Sequence, residues 1–249
     1  MKILFTICGR AGSKGIKNKN IRDFLEKPLP YYSISAIDLF LKRANEDVQA
    51  DIAINTDSPE LMELMRNNGL RPVEIIERDE SLAGDRVAKV DVLIDCIEKM
   101  EERMRVNYDV VVDLDITSPL RTVDDLKKVI DTFFEKKCDI VTTVVPARRN
   151  PYFNQVKRID KGFTKVIDSN YVSRQQAPEI FDMNASIYAY RPGYLKEHRK
   201  FWDSYIECIE MYDTGILDLD HENDFELMEV MAKYLFEKNE SFAEIAQNI

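Results

Sequence analysis

The sequence predicts an α/β fold: a mostly parallel sheet with helices on both faces. Three observations predict it. Strand-like runs and helical stretches alternate as β-α-β-α-β-α-β-α-β through the first 145 residues. The first strand-like run, Lys2–Cys8, is short and apolar, as parallel strands buried on both faces are. The chain has 249 residues, enough for one large domain or one domain carrying a subdomain, and long enough to bury roughly 73% of its unfolded surface without staples.

Each element has a local reason. Lys2–Cys8 (K-I-L-F-T-I-C) is an apolar run with β-branched residues. Tyr31 to Leu41 has apolar residues at helical spacing. Asp51 to Thr56 is a second strand. Ser58 then reads as an N-cap, with Pro59 at the first helical position and Gly69 just past the end. Val73 to Ile76 is a third strand and Val87 to Met100 a helix. Tyr108 to Asp113 (Y-D-V-V-V-D) is the strongest strand. Thr122 with Asp125 forms a capping-box pattern that opens a helix through Phe133. Ile140 to Val145 is a fifth strand. From 146 to 182 the pattern changes to short alternating stretches, Phe153 to Val156 and Gly162 to Val166, with turn residues between. This predicts an inserted flap or hairpin subdomain within a single domain spanning 1–249. Ala185 to Tyr190 and Tyr205 to Met211 return to strand, and His221 to Phe236 is a closing helix.

Charge and composition exclude several functions. Lys plus Arg is 35 and Asp plus Glu is 45, a net charge of −10. A nucleic-acid partner is disfavoured, because such affinity comes mainly from neutralising phosphates. The N-terminal apolar run is too short for a signal core or a membrane span. The four cysteines form no C-x-x-C pair and read as reduced thiols of a cytoplasmic protein. Two histidines, His198 and His221, exclude a His-rich metal site and disfavour a histidine-based triad.

Ligands of such folds bind beyond the carboxyl ends of the strands. Three motifs fall there. The first is a glycine-rich loop from Gly9 to Arg22, with five basic residues and no acidic one in an otherwise acidic chain. Glycines let backbone N–H groups approach an anion, and Arg and Lys neutralise it. The loop reads as a polyphosphate cradle; the alternative is a surface loop with scattered lysines. It is neither a Walker A loop nor G-x-G-x-x-G. The other two motifs are Asp113-Leu-Asp115 and Asp218-Leu-Asp220. In extended backbone, residues i and i+2 point to one side, so each pair can aim two carboxylates at one point. Mg²⁺ takes such oxygens together with substrate phosphates. The alternative is that strand-end Asp residues cap helices or turns.

The loop Arg10-x-Gly-Ser-Lys-Gly-x-x-x-Lys-Asn20 resembles the signature of the CMP-sugar synthetases (acylneuraminate cytidylyltransferases). The resemblance continues through Asn55-Thr-Asp57, Arg78-x-x-x-Leu-Ala-Gly-Asp85, Thr117-Ser-Pro-Leu-Arg121, Arg174-Gln-Gln-x-Pro178, Asn184-Ala-Ser-Ile-Tyr188 and Asp218-Leu-Asp220-x-x-x-Asp224. It implies a Rossmann-like nucleotidyltransferase (GT-A-like) fold that joins CTP to a nine-carbon α-keto acid sugar and releases pyrophosphate. Carried over, Arg10, Ser13, Lys14 and Lys19 hold phosphates, with Arg10, Lys14 and Lys19 sharing the charge of the reaction. Asn20 reaches the base and Arg78 contacts the nucleotide. Thr117, Ser118, Arg121, Gln175 and Asn184 fall in the sugar-side motifs. Asp218 and Asp220 bind Mg²⁺. The segment around Arg174 belongs to a dimerisation element that reaches into the neighbour's site, where the Arg meets the sugar carboxylate. A homodimer with a shared site is therefore implied.

Two positions depart from the neuraminate-specific members. Asp115 stands where they have Gln at the sugar, which turns a mixed donor and acceptor into an acceptor only. Lys89 stands where they have Ser near the nucleotide. Both departures are shared by the CMP-legionaminate synthetases, which this chain also resembles in T-I-C-x-R-x-G-S-K-G, K-N-K-N-I, D-L-D-I, N-P-Y-F-N and D-M-N-A-S-I-Y. N,N'-diacetyllegionaminate is thus the expected sugar. Neuraminate and pseudaminate are the alternatives, and a non-catalytic nucleotide-binding protein is the distant one.

Overall fold

The computed structural model describes residues 1–12, 15–84, 87–213 and 219–249. Ser13, Lys14 and Asp218 lie outside them. The elements in chain order are β1 (Lys2–Cys8), β2 (Asp23–Phe24), β3 (Lys27–Pro28), α1 (Leu29–Arg43), β4 (Gln49–Thr56), α2 (Pro59–Arg66) and β5 (Glu74–Glu77). Then come α3 (Lys89–Met104), β6 (Val110–Leu114), α4 (Val123–Lys136), β7 (Ile140–Pro146), β8 (Val156–Ile159) and β9 (Gly162–Lys165). The chain closes with β10 (Phe181–Tyr190), α5 (Pro192–His198), β11 (Ile206–Glu210), α6 (Glu222–Lys238) and α7 (Glu240–Gln247).

Seven strands form one sheet in the order β11-β7-β10-β6-β1-β4-β5. All neighbours pair in parallel except β10, which runs antiparallel to both β6 and β7. The chain runs outward from β1 through β4 to β5, then returns to place β6 on the other side of β1. That reversal opens a crevice at the carboxyl ends of β1 and β6, where ligands of open α/β sheets bind.

Strand alternation sorts the core into two layers. Ile3, Phe5 and Ile7 of β1 and Val110, Val112 and Leu114 of β6 pack on one face, under α1, α4, α6 and α7. Leu4 and Val111 face the other way, under α3 and α5. Asp113 lies on this second face, two residues from Val111. The expected caps are present. Ser58 Oγ accepts from Leu61 N at 3.2 Å, and Thr122 and Asp125 complete a reciprocal capping box.

Within the segment from 146 to 182, β8 and β9 pair as a separate, largely exposed two-stranded hairpin, while Pro146 ends β7 and Phe181 begins β10. Its Val156, Ile159 and Phe163 are 60%, 46% and 61% exposed. β10 begins four residues before the strand predicted at Ala185. Its register shifts between Met183 and Tyr188, and Ala185 sits in the left-handed region at φ 51°. A bulge breaks the two-residue alternation, so the sequence exposes only the second half of the strand. The β2–β3 hairpin, α5 and α7 are too short for a period to be read.

A buried carboxylate is among the groups that hold the C-terminal segment. Asp38 of α1 accepts from Arg71 Nε at 2.7 Å and Asn248 Nδ2 at 2.9 Å, and pairs with Lys42 Nζ at 2.6 Å. Burial alone would raise its pKa, but the bonds from Lys42, Asn248 and Arg71 outweigh that and hold it low. A lowered folded pKa stabilises above the unfolded value near ~3.9 and loses that stabilisation as pH falls through the folded value. Asp38→Asn is therefore expected to melt lower than wild type at pH 7, with the gap narrowing below about pH 4. Thermal melts across pH check this; a gap that stays constant would refute the linkage.

Candidate active site

A cleft of about 480 Å³ opens at the crevice between β1 and β6. The loop after β1 forms one wall with Gly9, Arg10, Gly15, Lys19 and Asn20. Arg78 follows β5, Lys89 opens α3, Asp115 and Thr117 follow β6, and Asp220 precedes α6. Residues scattered across more than two hundred positions thus converge because each sits at the carboxyl edge of the sheet.

The loop is held from several sides. Buried Ile16 anchors it in the core. Ala11 N donates to Asp57 Oδ1 at 2.7 Å, and Asn20 Nδ2 donates to the Arg10 carbonyl at 3.1 Å. Gly15 presses against the segment before α6: an added Cβ would lie 1.8 Å from the Asp220 carbonyl oxygen. Only glycine allows that approach. Lys19 Nζ donates to the Leu219 carbonyl at 2.6 Å and lies 3.6 Å from Asp220 Oδ1. Loop and terminal acidic motif therefore form one unit.

At the centre, Lys89 Nζ lies 2.7 Å from Asp113 Oδ2 and 3.1 Å from Asp115 Oδ2. The two carboxylates do share a side, as their spacing predicts, and the cation between them is this lysine. Asp113 is fully buried, and its Oδ1 accepts from Thr6 Oγ1 at 2.8 Å. It caps no helix. Asp115 Oδ1 accepts from Thr117 N at 3.1 Å and Thr117 Oγ1 at 2.9 Å, which shapes the turn after β6. Burial would lower the Lys89 pKa, but Asp113 and Asp115 outweigh it and hold the ammonium well above its ordinary value. Burial would raise Asp115; the charge of Lys89 and the Thr117 bonds bring it down to about 2. The ammonium also lies 5.4 Å from the Tyr188 ring centroid. Cys8, beside this group, is pushed well up by burial and by Asp113, so its thiol stays protonated.

Among the described residues, five of the predicted ones do not line the cleft of this chain. Ser118 and Arg121 are buried. The Arg121 guanidinium donates to the carbonyls of Asp115 and Ser118 and, at 3.2 Å, to Ser33 Oγ. It braces the turn that carries Asp115 and Thr117. Burial brings its pKa down to about 10. Asn184 is buried in β10, accepting from Thr143 Oγ1 at 2.6 Å and donating to Met211 Sδ at 3.2 Å. Arg174 and Gln175 are exposed on the flap, where Arg174 donates to the Arg148 carbonyl. The sequence reading also missed groups behind the cleft. Thr6 reaches Asp113 only because β1 and β6 pair in parallel with Thr6 opposite Asp113. No single stretch of sequence carries that signal.

An α/β crevice lined by a cationic glycine loop defines a nucleotide-handling protein. A family model described as cytidylyltransferase matches residues 4–242, and the chain belongs to that family. It is 36% identical over 238 residues to the post-translational flagellin modification protein B of Campylobacter coli, covering 96% of this chain and 97% of the relative. It is 36% identical over 230 residues to the CMP-N,N'-diacetyllegionaminic acid synthase of Campylobacter jejuni, covering 92% and 94%. Among solved structures, CMP:2-keto-3-deoxy-manno-octonic acid synthetase complexed with CTP superposes with a TM-score of 0.68. It is 19% identical and covers 94% of this chain and all of that one, a likeness of fold.

Proposed function

We propose that the chain transfers CMP from CTP to a nonulosonic acid, with N,N'-diacetyllegionaminate as the preferred sugar, in the cytoplasm. The cleft carries the reading. It gathers Arg10, Lys19, Asn20, Arg78 and the rim carboxylate Asp220 around the Lys89 pair, groups whose chemistry suits a triphosphate, a base and a divalent cation. The chain's near full-length similarity to the legionaminic acid synthase supports the choice of sugar.

In this reaction the anomeric hydroxyl oxygen bonds to the α-phosphorus. The bond to the β-phosphate breaks, pyrophosphate leaves with the electron pair, and the hydroxyl's proton passes to solvent. The protein positions the reactants and neutralises charge. Arg10 and Lys19, with Ser13 and Lys14, hold the triphosphate. Lys89 keeps a positive charge facing it, and Asp115 presents an acceptor to the sugar.

Asp220 suits a hard divalent cation. Its carboxylate is 66% exposed on the cleft rim, with Lys19 at 3.6 Å, whereas Asp113 and Asp115 are already engaged by Lys89. Asp218 and Asp220 would hold Mg²⁺, which supplies charge neutralisation on the phosphates when bound.

The homodimer belongs to the same proposal. The flap's exposed Val156, Ile159 and Phe163 need cover. Its Arg148, Arg149, Lys157, Arg158, Lys161, Lys165 and Arg174 outnumber its acids in an acidic chain. A basic flap from a second copy suits a cleft that receives an acid sugar, with Arg174 as the carboxylate partner.

The test is pyrophosphate release from CTP with N,N'-diacetyllegionaminate, pseudaminate, neuraminate and the eight-carbon acid KDO, each with Mg²⁺ and with EDTA. Fastest release with legionaminate, lost with EDTA, is the expected result. Neuraminate or pseudaminate as the best acceptor would overturn the sugar assignment and keep the reaction. CTP binding without release from any acid would overturn the reaction.

A further inference from the structure

We propose that Asp95 is a positioning residue for Arg78: acting through Asn55, it fixes the guanidinium in the orientation that faces the nucleotide cleft. The proposal rests on the reading of Arg78 as a nucleotide contact. Three elements meet behind the cleft wall. Asn55 lies at the end of β4, Arg78 just beyond β5, and Asp95 midway along α3. Asn55 Nδ2 donates to Asp95 Oδ2 at 3.1 Å, while Asn55 Oδ1 accepts from Arg78 Nε at 2.6 Å. The Asn55 carbonyl accepts twice, from Arg78 Nη2 at 2.9 Å and from Gly9 N at 3.2 Å. One residue therefore sets both Arg78 and the first glycine of the phosphate loop.

The chemistry leaves one arrangement. Asn55 is fully buried, so its amide has no solvent to fall back on. A carboxylate only accepts, and a guanidinium only donates. Asn55 must turn its NH₂ to Asp95 and its oxygen to Arg78. The Asp95 charge thus selects the amide orientation, and the amide selects the guanidinium orientation. Asp95 is itself fixed by Lys99 one turn along α3, at 2.8 Å, and Lys99 also reaches Asp79 at 3.1 Å. The backbone of Arg78 is pinned by its N–H on the Thr56 carbonyl at 2.9 Å. Placing an asparagine at 95 removes one of the two selectors: an amide there accepts either face of Asn55, so Arg78 alone opposes the flip that would set an NH₂ against its own Nε.

A double-mutant cycle on CTP affinity tests this, using wild type, Asp95→Asn, Arg78→Ala and the double variant, with Kd from calorimetry. Asp95→Asn is expected to weaken CTP by about 5–10-fold and leave kcat within about twofold. In the Arg78→Ala background the same change is expected to add less than about twofold, because the two residues act as one unit. Lys99→Met sits on the helix surface and serves as a second variant if Asp95→Asn folds poorly. It is expected to weaken CTP about two- to threefold, and only when Arg78 is present. If Arg78→Ala leaves CTP affinity unchanged, the reading of Arg78 fails. If Arg78→Ala weakens CTP but the second change multiplies its effect, or has none alone, the Asp95 relay is overturned and the site reading stands.

Discussion

Lys89→Met is expected to lower the thermal midpoint by about 4–8 °C and to slow turnover about 10²-fold. Removing one partner of a buried ion pair costs roughly 3–5 kcal/mol. Lys89 is 38% exposed, so water offsets part of that, and about 2 kcal/mol is the better figure. The pH dependence separates this cause from a simple packing defect. In the native chain Asp115 is held at about 2. That is below the ~3.9 of an unfolded aspartate, so its stabilisation is present above about pH 4 and lost as pH falls. Without Lys89, only the Thr117 bonds oppose burial, so the Asp115 pKa rises from its low folded value and part of that stabilisation is lost. The penalty is then largest at neutral pH and shrinks in acid. Thermal melts from about pH 3 to about pH 8 would show the gap closing below about pH 4. A variant that melts with wild type at pH 7.5 and keeps its rate would refute the central role of this lysine.

Gly15→Ala is expected to cost at least about 10²-fold in turnover while moving the thermal midpoint by only a few degrees. The added methyl collides with a backbone oxygen, that of Asp220, and no side-chain rotation relieves it. Either the glycine loop or the segment before α6 must move by more than about an ångström, and both carry groups of the cleft. Gly15 itself is exposed, so the core is untouched. Steady-state kinetics with CTP, paired with a melting curve, check the split. An active Gly15→Ala enzyme would mean that the loop and Asp220 separate during turnover.

The sheet and most of its helices were legible in the sequence because their signals are local: β-branched runs, a capping box, Ser58 before Pro59. The cleft residues carried by sharp motifs, Arg10, Lys19, Asn20, Arg78 and Asp220, converge as their positions at strand ends require. What could not be read depends on side chains that meet only in three dimensions. Lys89 between two aspartates needs the register of α3 against β6. Arg121 and Asn184 sit inside sugar-side motifs, yet their hydrogen bonds hold turn and strand together. The bulge at Ala185 breaks the very alternation by which a strand is recognised.

The antiparallel strand β10 has a consequence for how this fold can change. A parallel successor to β7 would have to cross the whole sheet before re-entering it. Because β10 runs back, the chain leaves at Pro146 and re-enters at Phe181 directly opposite, with Ala147 N on the Ile180 carbonyl at 2.9 Å. The flap is therefore a closed excursion whose two ends already touch. Its length is nearly free, since closure entropy rises only logarithmically with loop size. The catalytic body can exchange this excursion for a longer, shorter or differently charged one without repacking a single strand, which makes the flap a replaceable module.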